Sequence, residues 1–76
     1  MSKVPVVSPD DCVAALSRFG YAVVRQKGSH ARMRAIGRNP VTVPIHKGKP
    51  LKRGTLASIL RTAEISVEEF LSALGR

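Results

Sequence analysis

The amino-acid sequence predicts a small α+β domain in the order α-β-β-β-α, with a three-stranded antiparallel sheet and its helices on one face. Three observations predict it. A stretch with helical spacing opens the chain between a capping serine and a stop glycine. A run of β-forming residues then folds about a Gly-Ser pair and is followed by a further apolar alternation. Two amphipathic helical stretches close the chain, the last of them short.

The first helix is written in "SPDDCVAALSRFG". Ser8 can cap it, Pro9 suits its first turn, and Asp10 and Asp11 face the positive end of its dipole. Cys12, Ala15, Leu16 and Phe19 recur at helical spacing, and Gly20 stops the helix. Capping accounts for both aspartates, so neither carries a catalytic role.

"YAVVRQK" and "HARMRA" read as strands joined by the two-residue turn Gly28-Ser29, which sets their register. Lys27 then faces His30, Arg25 faces Arg32, and Val23 faces Arg34. On the other side Gln26 faces Ala31, Val24 faces Met33, and Ala22 faces Ala35. One side is small and apolar and is expected to meet the helices; the other is almost wholly cationic. Like charges directly opposite each other destabilise a sheet by some tenths of a kcal/mol (about 0.2–1) per pair. A phosphate chain lying on that side would neutralise them.

"VTVPIH" is the third strand, with Val41, Val43 and Ile45 alternating against Thr42, Pro44 and His46. Setting Ala35 opposite Val41 turns the three apolar residues to the core and leaves the loop Ile36 to Pro40. Thr42 then faces Arg34 and His46 faces His30, whereas a loop shorter by one residue would turn the valines outward. Pro44 has no N–H to give a ladder and marks an edge, so the sheet order is 1-2-3 with the His30 strand in the middle.

"LKRGTLASILRTA" is a second helix with Leu56, Ile59, Leu60 and Ala63 on one face. Gly54 weakens its start, which a close backbone approach would explain. In "ISVEEFLSAL", Ser66 and Glu69 form a capping box and Ile65 can staple onto Phe70.

The 76 residues suit a single domain, 1–76, with a thin core, because a chain this size buries only about 60% of its unfolded surface. Cys12 is the only cysteine, so no internal disulfide forms, and with two histidines it makes a poor zinc set. No apolar run approaches a membrane span, and Val4 to Val7 is too short for a signal peptide. A cytoplasmic protein without metal or small-molecule cofactor is expected. The net charge of +8 predicts a polyanionic partner at some stage. Its distribution sharpens this: between Cys12 and Ala63 there are eleven Lys and Arg and no acid.

With the acids used in caps, His30, His46 and the cations remain. An imidazole can take the proton of an attacking 2′-OH of RNA or give one to the leaving 5′-oxygen. Arg25, Lys27, Arg32 and Arg34 would hold the phosphate, and the Gly28-Ser29 turn would let the RNA backbone approach closely. His46 is the candidate for a second acid or base if it faces His30; its plainer readings are a phosphate contact or a solvated edge residue. The residues alone leave three functions open. They are a nuclease, a non-catalytic RNA-binding module, and a subunit whose basic face docks an acidic protein.

"FGYAVVRQKGSHARM", followed by "VTVPIHKGKPLKRGTLASIL" and "SVEEFLSAL", resembles the HicA toxins of bacterial type II toxin–antitoxin modules. The resemblance runs from about Cys12 to Leu74. It implies a double-stranded-RNA-binding-domain-like fold and a ribonuclease (mRNA interferase) activity whose motif histidine is His30. It also implies a HicB-type antitoxin as partner, one that covers the toxin and represses the operon. Three positions depart from the family pattern. Ala31 stands where a second histidine or polar residue is common, Met33 where an aromatic is common, and Glu64 where a glycine is typical.

Overall fold

The computed structural model describes residues 3–75 and runs α1 (Pro9–Ser17), β1 (Ala22–Lys27), β2 (His30–Arg34), β3 (Val41–Pro44), α2 (Arg53–Ala63) and α3 (Val67–Leu74). The order is the expected α-β-β-β-α with a third helix appended, and the three strands form an antiparallel sheet in the order β1-β2-β3.

The helix signals act as their chemistry requires. Ser8 Oγ accepts from the Asp11 N–H at 3.0 Å, and Pro9 occupies the first turn of α1. At α3 the box is closed from both sides. Ser66 Oγ accepts from the Glu69 N–H at 3.0 Å, and Glu69 Oε1 accepts from the Ser66 N–H at 2.9 Å. Gly54 differs from its expectation. A Cβ at that position would meet nothing within 4 Å, so no backbone approach within the fold explains the glycine.

Glu64, between α2 and α3, sits at φ 58° and ψ 44°, in the left-handed region. This gives a physical reason for a glycine there: a side chain in that conformation costs on the order of 1–2 kcal/mol. Glu64→Gly is therefore expected to stabilise the fold by roughly 1 kcal/mol, part of the gain being offset by the freer unfolded chain. Urea denaturation of the two proteins checks this.

One face of the sheet is closed over. Ala31 and Met33 of β2 and Val41 and Val43 of β3 are buried, and Met33, Val41 and Val43 pack with Leu16 of α1, Leu56 and Leu60 of α2 and Phe70 of α3. Met33 thus fills the core in place of an aromatic ring. Cys12 lies in the same interior, and burial pushes its thiol up to about 12, so it is inert as a nucleophile.

Three expectations about the sheet are corrected. First, β1 carries a bulge between Val23 and Arg25. Lys27↔His30, Gln26↔Ala31 and Arg25↔Arg32 stand as expected, but beyond the bulge Val23 faces Met33 and Ala22 faces Arg34. The extra residue is absorbed by β1 alone, which shifts every pairing past it by one. Second, β2 and β3 pair with Met33 opposite Val41, Arg32 opposite Thr42 and His30 opposite Pro44. The register is two residues from the expected one, so the faces are kept while His46 no longer faces His30. Third, the apolar side of β1 is not covered by the helices. α1 and α2 pack against β3, and all six residues of β1 are exposed, with Val23 44% and Val24 56% accessible.

The longer loop between β2 and β3 is pinned by bonds that the charge pattern does not announce. Tyr21 Oη donates to the Asn39 carbonyl at 2.7 Å, and Asn39 Nδ2 donates to the Thr62 carbonyl at 3.1 Å. Arg38 Nη1 donates to the Ala63 carbonyl at 2.8 Å, while its guanidinium lies 5.4 Å from the centre of the Phe19 ring. A cation at the end of α2 opposes the negative pole of that helix. Arg38 is thus a structural cation.

Candidate nucleic-acid interface

The face of the sheet turned away from the helices is built from the residues that alternate with the core. In β2 these are His30, Arg32 and Arg34, all exposed, separated by buried Ala31 and Met33. Pairing extends them into rows across the sheet. Arg25, Arg32 and Thr42 form one row; Lys27, His30 and Pro44 form the next. Neighbouring rows on one face lie about 7 Å apart along the strand. His30 therefore sits with a lysine on one side, a rigid proline ring on the other, and a pair of arginines in the adjoining row. Arg34 stands at the far end, opposite Ala22.

Local structure holds this arrangement. Gly28, at φ 58°, makes the tight turn that brings Lys27 back onto His30. Ser29, partly buried, accepts the Ile45 N–H on its carbonyl, which ties the turn to the chain just past β3. Arg32 Nη1 donates to Thr42 Oγ1 at 3.0 Å, so its guanidinium is drawn toward β3 and lies across the face. Neither imidazole has a hydrogen-bond partner among the described residues. Among those residues no three His, Cys, Asp or Glu side chains come together as a metal site.

Seven of the eight sequence-predicted site residues, Arg25, Lys27, Gly28, Ser29, His30, Arg32 and Arg34, fall on this one hairpin. His46 does not join them on a strand. It lies past the end of β3, where the His46 carbonyl accepts the Lys49 N–H at 3.2 Å in a turn. Two open clefts meet at it. One, of about 430 Å³, lies between the segment before α1 and the turn, with Val6, Ile45 and Pro50 in its wall and Lys47 and Lys49 at its side. The other, of about 400 Å³, runs from Pro44 to Thr55 at the start of α2, with Lys49 and Lys52 beside it. Sequence reasoning missed Pro44, Lys49, Lys52 and Thr55 as parts of a cleft at His46, with Pro44 also facing His30. The cations of "HKGKPLKR" were visible, but the register that places them was not.

Residues 9–65 match the family model for the HicA toxin of bacterial toxin–antitoxin systems. The chain belongs to the HicA toxin family. The matched segment runs from the first residue of α1 through all of β1, β2, β3 and α2, and so contains every residue of the cationic face. In this HicA-family chain, α3 lies after the matched segment. HicA-family toxins pair with HicB antitoxins. No individual curated protein matches the chain. No helix among the described residues is long and apolar enough to cross a membrane.

Proposed function

We propose that this chain, a single HicA-like domain over residues 1–76, is a toxin that cleaves mRNA in the cytoplasm as a metal-independent endoribonuclease. His30 is the acid or base. The observation that carries the reading is the row Lys27–His30–Pro44 beside the row Arg25–Arg32–Thr42 on one exposed face. A phosphate over these rows meets Lys27, Arg25 and Arg32 at once, with Arg34 further along and the Gly28-Ser29 turn leaving the RNA backbone room to approach. The reaction transfers the phosphorus between oxygens of the RNA. A base removes the 2′-OH proton, the 2′-oxygen bonds to phosphorus, the bond to the 5′-oxygen breaks, and that oxygen takes up a proton. Cations around the phosphate stabilise the charge that develops on its free oxygens. The HicB-type antitoxin is the expected protein partner, and no small-molecule cofactor enters.

A second reading, a non-catalytic RNA-binding module, is favoured by one observation. Among the described residues no hydrogen bond orients the His30 ring, whereas a catalytic imidazole is commonly held by a partner. Induction of wild type and His30→Ala in cells separates the two. Arrest with early loss of mRNA for wild type alone supports cleavage; arrest with both supports binding.

The cationic rows make a prediction of their own. Arg25→Gln with Arg32→Gln removes a like-charge pair, so folding stability is expected to stay level or rise by a few tenths of a kcal/mol (about 0.2–1). RNA affinity is expected to fall, and the slope of log K against log salt to shrink by about 1.4 for a single strand, at about 0.7 per lost phosphate contact. Fluorescence anisotropy across a salt series measures both affinity and slope.

A further inference from the structure

We propose that His46 is a base-stacking residue and that the two clefts meeting at it receive the unpaired bases of an RNA strand, so the substrate is single-stranded. The proposal rests on the ribonuclease reading above and extends it to where the strand goes after passing His30. Pro44 connects the two places. It faces His30 across the β2–β3 pairing, and it also walls the second cleft.

The clefts have the chemistry of a base site. Val6, Ile45 and Pro50 give the first an apolar wall, and Pro44, Pro50 and Leu51 do the same in the second. Lys47, Lys49 and Lys52 border them, and Asp10 of the first turn of α1 is the one acid in the lining, on the first cleft. A nucleobase offers a flat, weakly polar face beside a phosphate charge, which is what such a cleft with cations at its side accommodates. A duplex can offer its phosphates to the lysines but cannot fill the apolar walls. Its bases are stacked inside, and it presents phosphates and 2′-hydroxyls, for which an apolar wall has no partner. An exposed imidazole at the junction of the two clefts, unbonded among the described residues, is free to stack on a base.

The observed register separates this role from acid–base chemistry. His30 faces Pro44, and His46 lies two residues further on, beyond the end of β3. The turn at Gly48, with φ 76°, begins at His46 and keeps that residue beside the clefts. His46 is thus a positioning residue for the neighbouring nucleotide.

The test uses the purified full chain, a short fluorescein-labelled RNA strand and the same strand annealed to its complement. His46→Ala is expected to raise KM and the dissociation constant for the single strand about 5- to 150-fold, the worth of one base–aromatic stack, with kcat nearly unchanged. His46→Phe, which keeps a ring and loses the proton chemistry, is expected to restore most of the affinity and rate. The duplex is expected to bind more weakly than the strand and to remain uncut. The proposal is overturned if His46→Phe loses kcat as fully as His46→Ala, since that marks an acid or base. It is also overturned if His46→Ala binds like wild type, or if the duplex binds as tightly as the strand. Should wild type bind the strand without cutting it, the ribonuclease reading fails while anisotropy of the Ala and Phe variants still decides the stacking role.

Discussion

On the proposed mechanism, His30→Ala is expected to lower the rate of RNA cleavage by about 10²- to 10⁴-fold, the span expected for loss of a positioned general acid or base. The substitution should leave the fold intact. His30 is exposed, its ring has no hydrogen-bond partner among the described residues, and surface changes of this kind stay within about 0.5 kcal/mol. RNA affinity should also change little, because Lys27, Arg25, Arg32 and Arg34 remain. The expected signature is therefore a loss of kcat at constant melting temperature and nearly constant affinity. Single-turnover kinetics on a labelled strand, with circular dichroism on the same samples, reads all three. A variant that cuts as fast as wild type would move His30 from chemistry to phosphate binding.

Phe70→Ala is the substitution with the largest expected effect on folding. The ring is fully buried where α3 meets the core, and truncating such a residue costs about 3–5 kcal/mol. A 76-residue domain has roughly 4–11 kcal/mol of stability in all, at about 0.05–0.15 per residue. The variant should unfold at a much lower urea concentration, and near body temperature a sizeable fraction should be unfolded. α3 depends on this contact, since an eight-residue helix is not stable alone. Its other support is the capping box. Backbone and side-chain hydrogen bonds with Ser66 hold the Glu69 carboxyl below its ordinary range. A carboxyl lowered in the fold stabilises it above the ordinary glutamate pKa, and that contribution is lost as pH falls through the lowered value. Acid should therefore loosen α3, and Glu69→Gln should flatten the pH dependence in that window, as followed by denaturation at a series of acid pH values.

The parts of the fold that were legible in the sequence are those decided by short-range chemistry. Ser8 and the Ser66–Glu69 box satisfy backbone groups within three residues, and Gly28-Ser29 closes a hairpin through its own dihedral angles. The faces of β2 and β3 were legible too, because alternation survives a shift of two residues. The register itself was not. It depends on how the loop containing Arg38 and Asn39 is tied to Thr62 and Ala63, contacts far apart in the chain. The bulge at Val24 and the exposure of β1 depend on how far two helices reach across three strands, which no local pattern states. The hairpin half of the candidate site was therefore visible from "RQKGSHARMR", while the clefts around His46 emerge only from the packing of the segment before α1 against the turn after β3.

Wild-type protein incubated with a single-stranded RNA in excess chelator, followed by analysis of the fragment ends, tests the central claim most directly. Attack by the 2′-oxygen at a His30 site predicts cut RNA with 2′,3′-cyclic phosphate and 5′-hydroxyl ends. Intact RNA, or fragments bearing 3′-hydroxyl and 5′-phosphate ends, would contradict it.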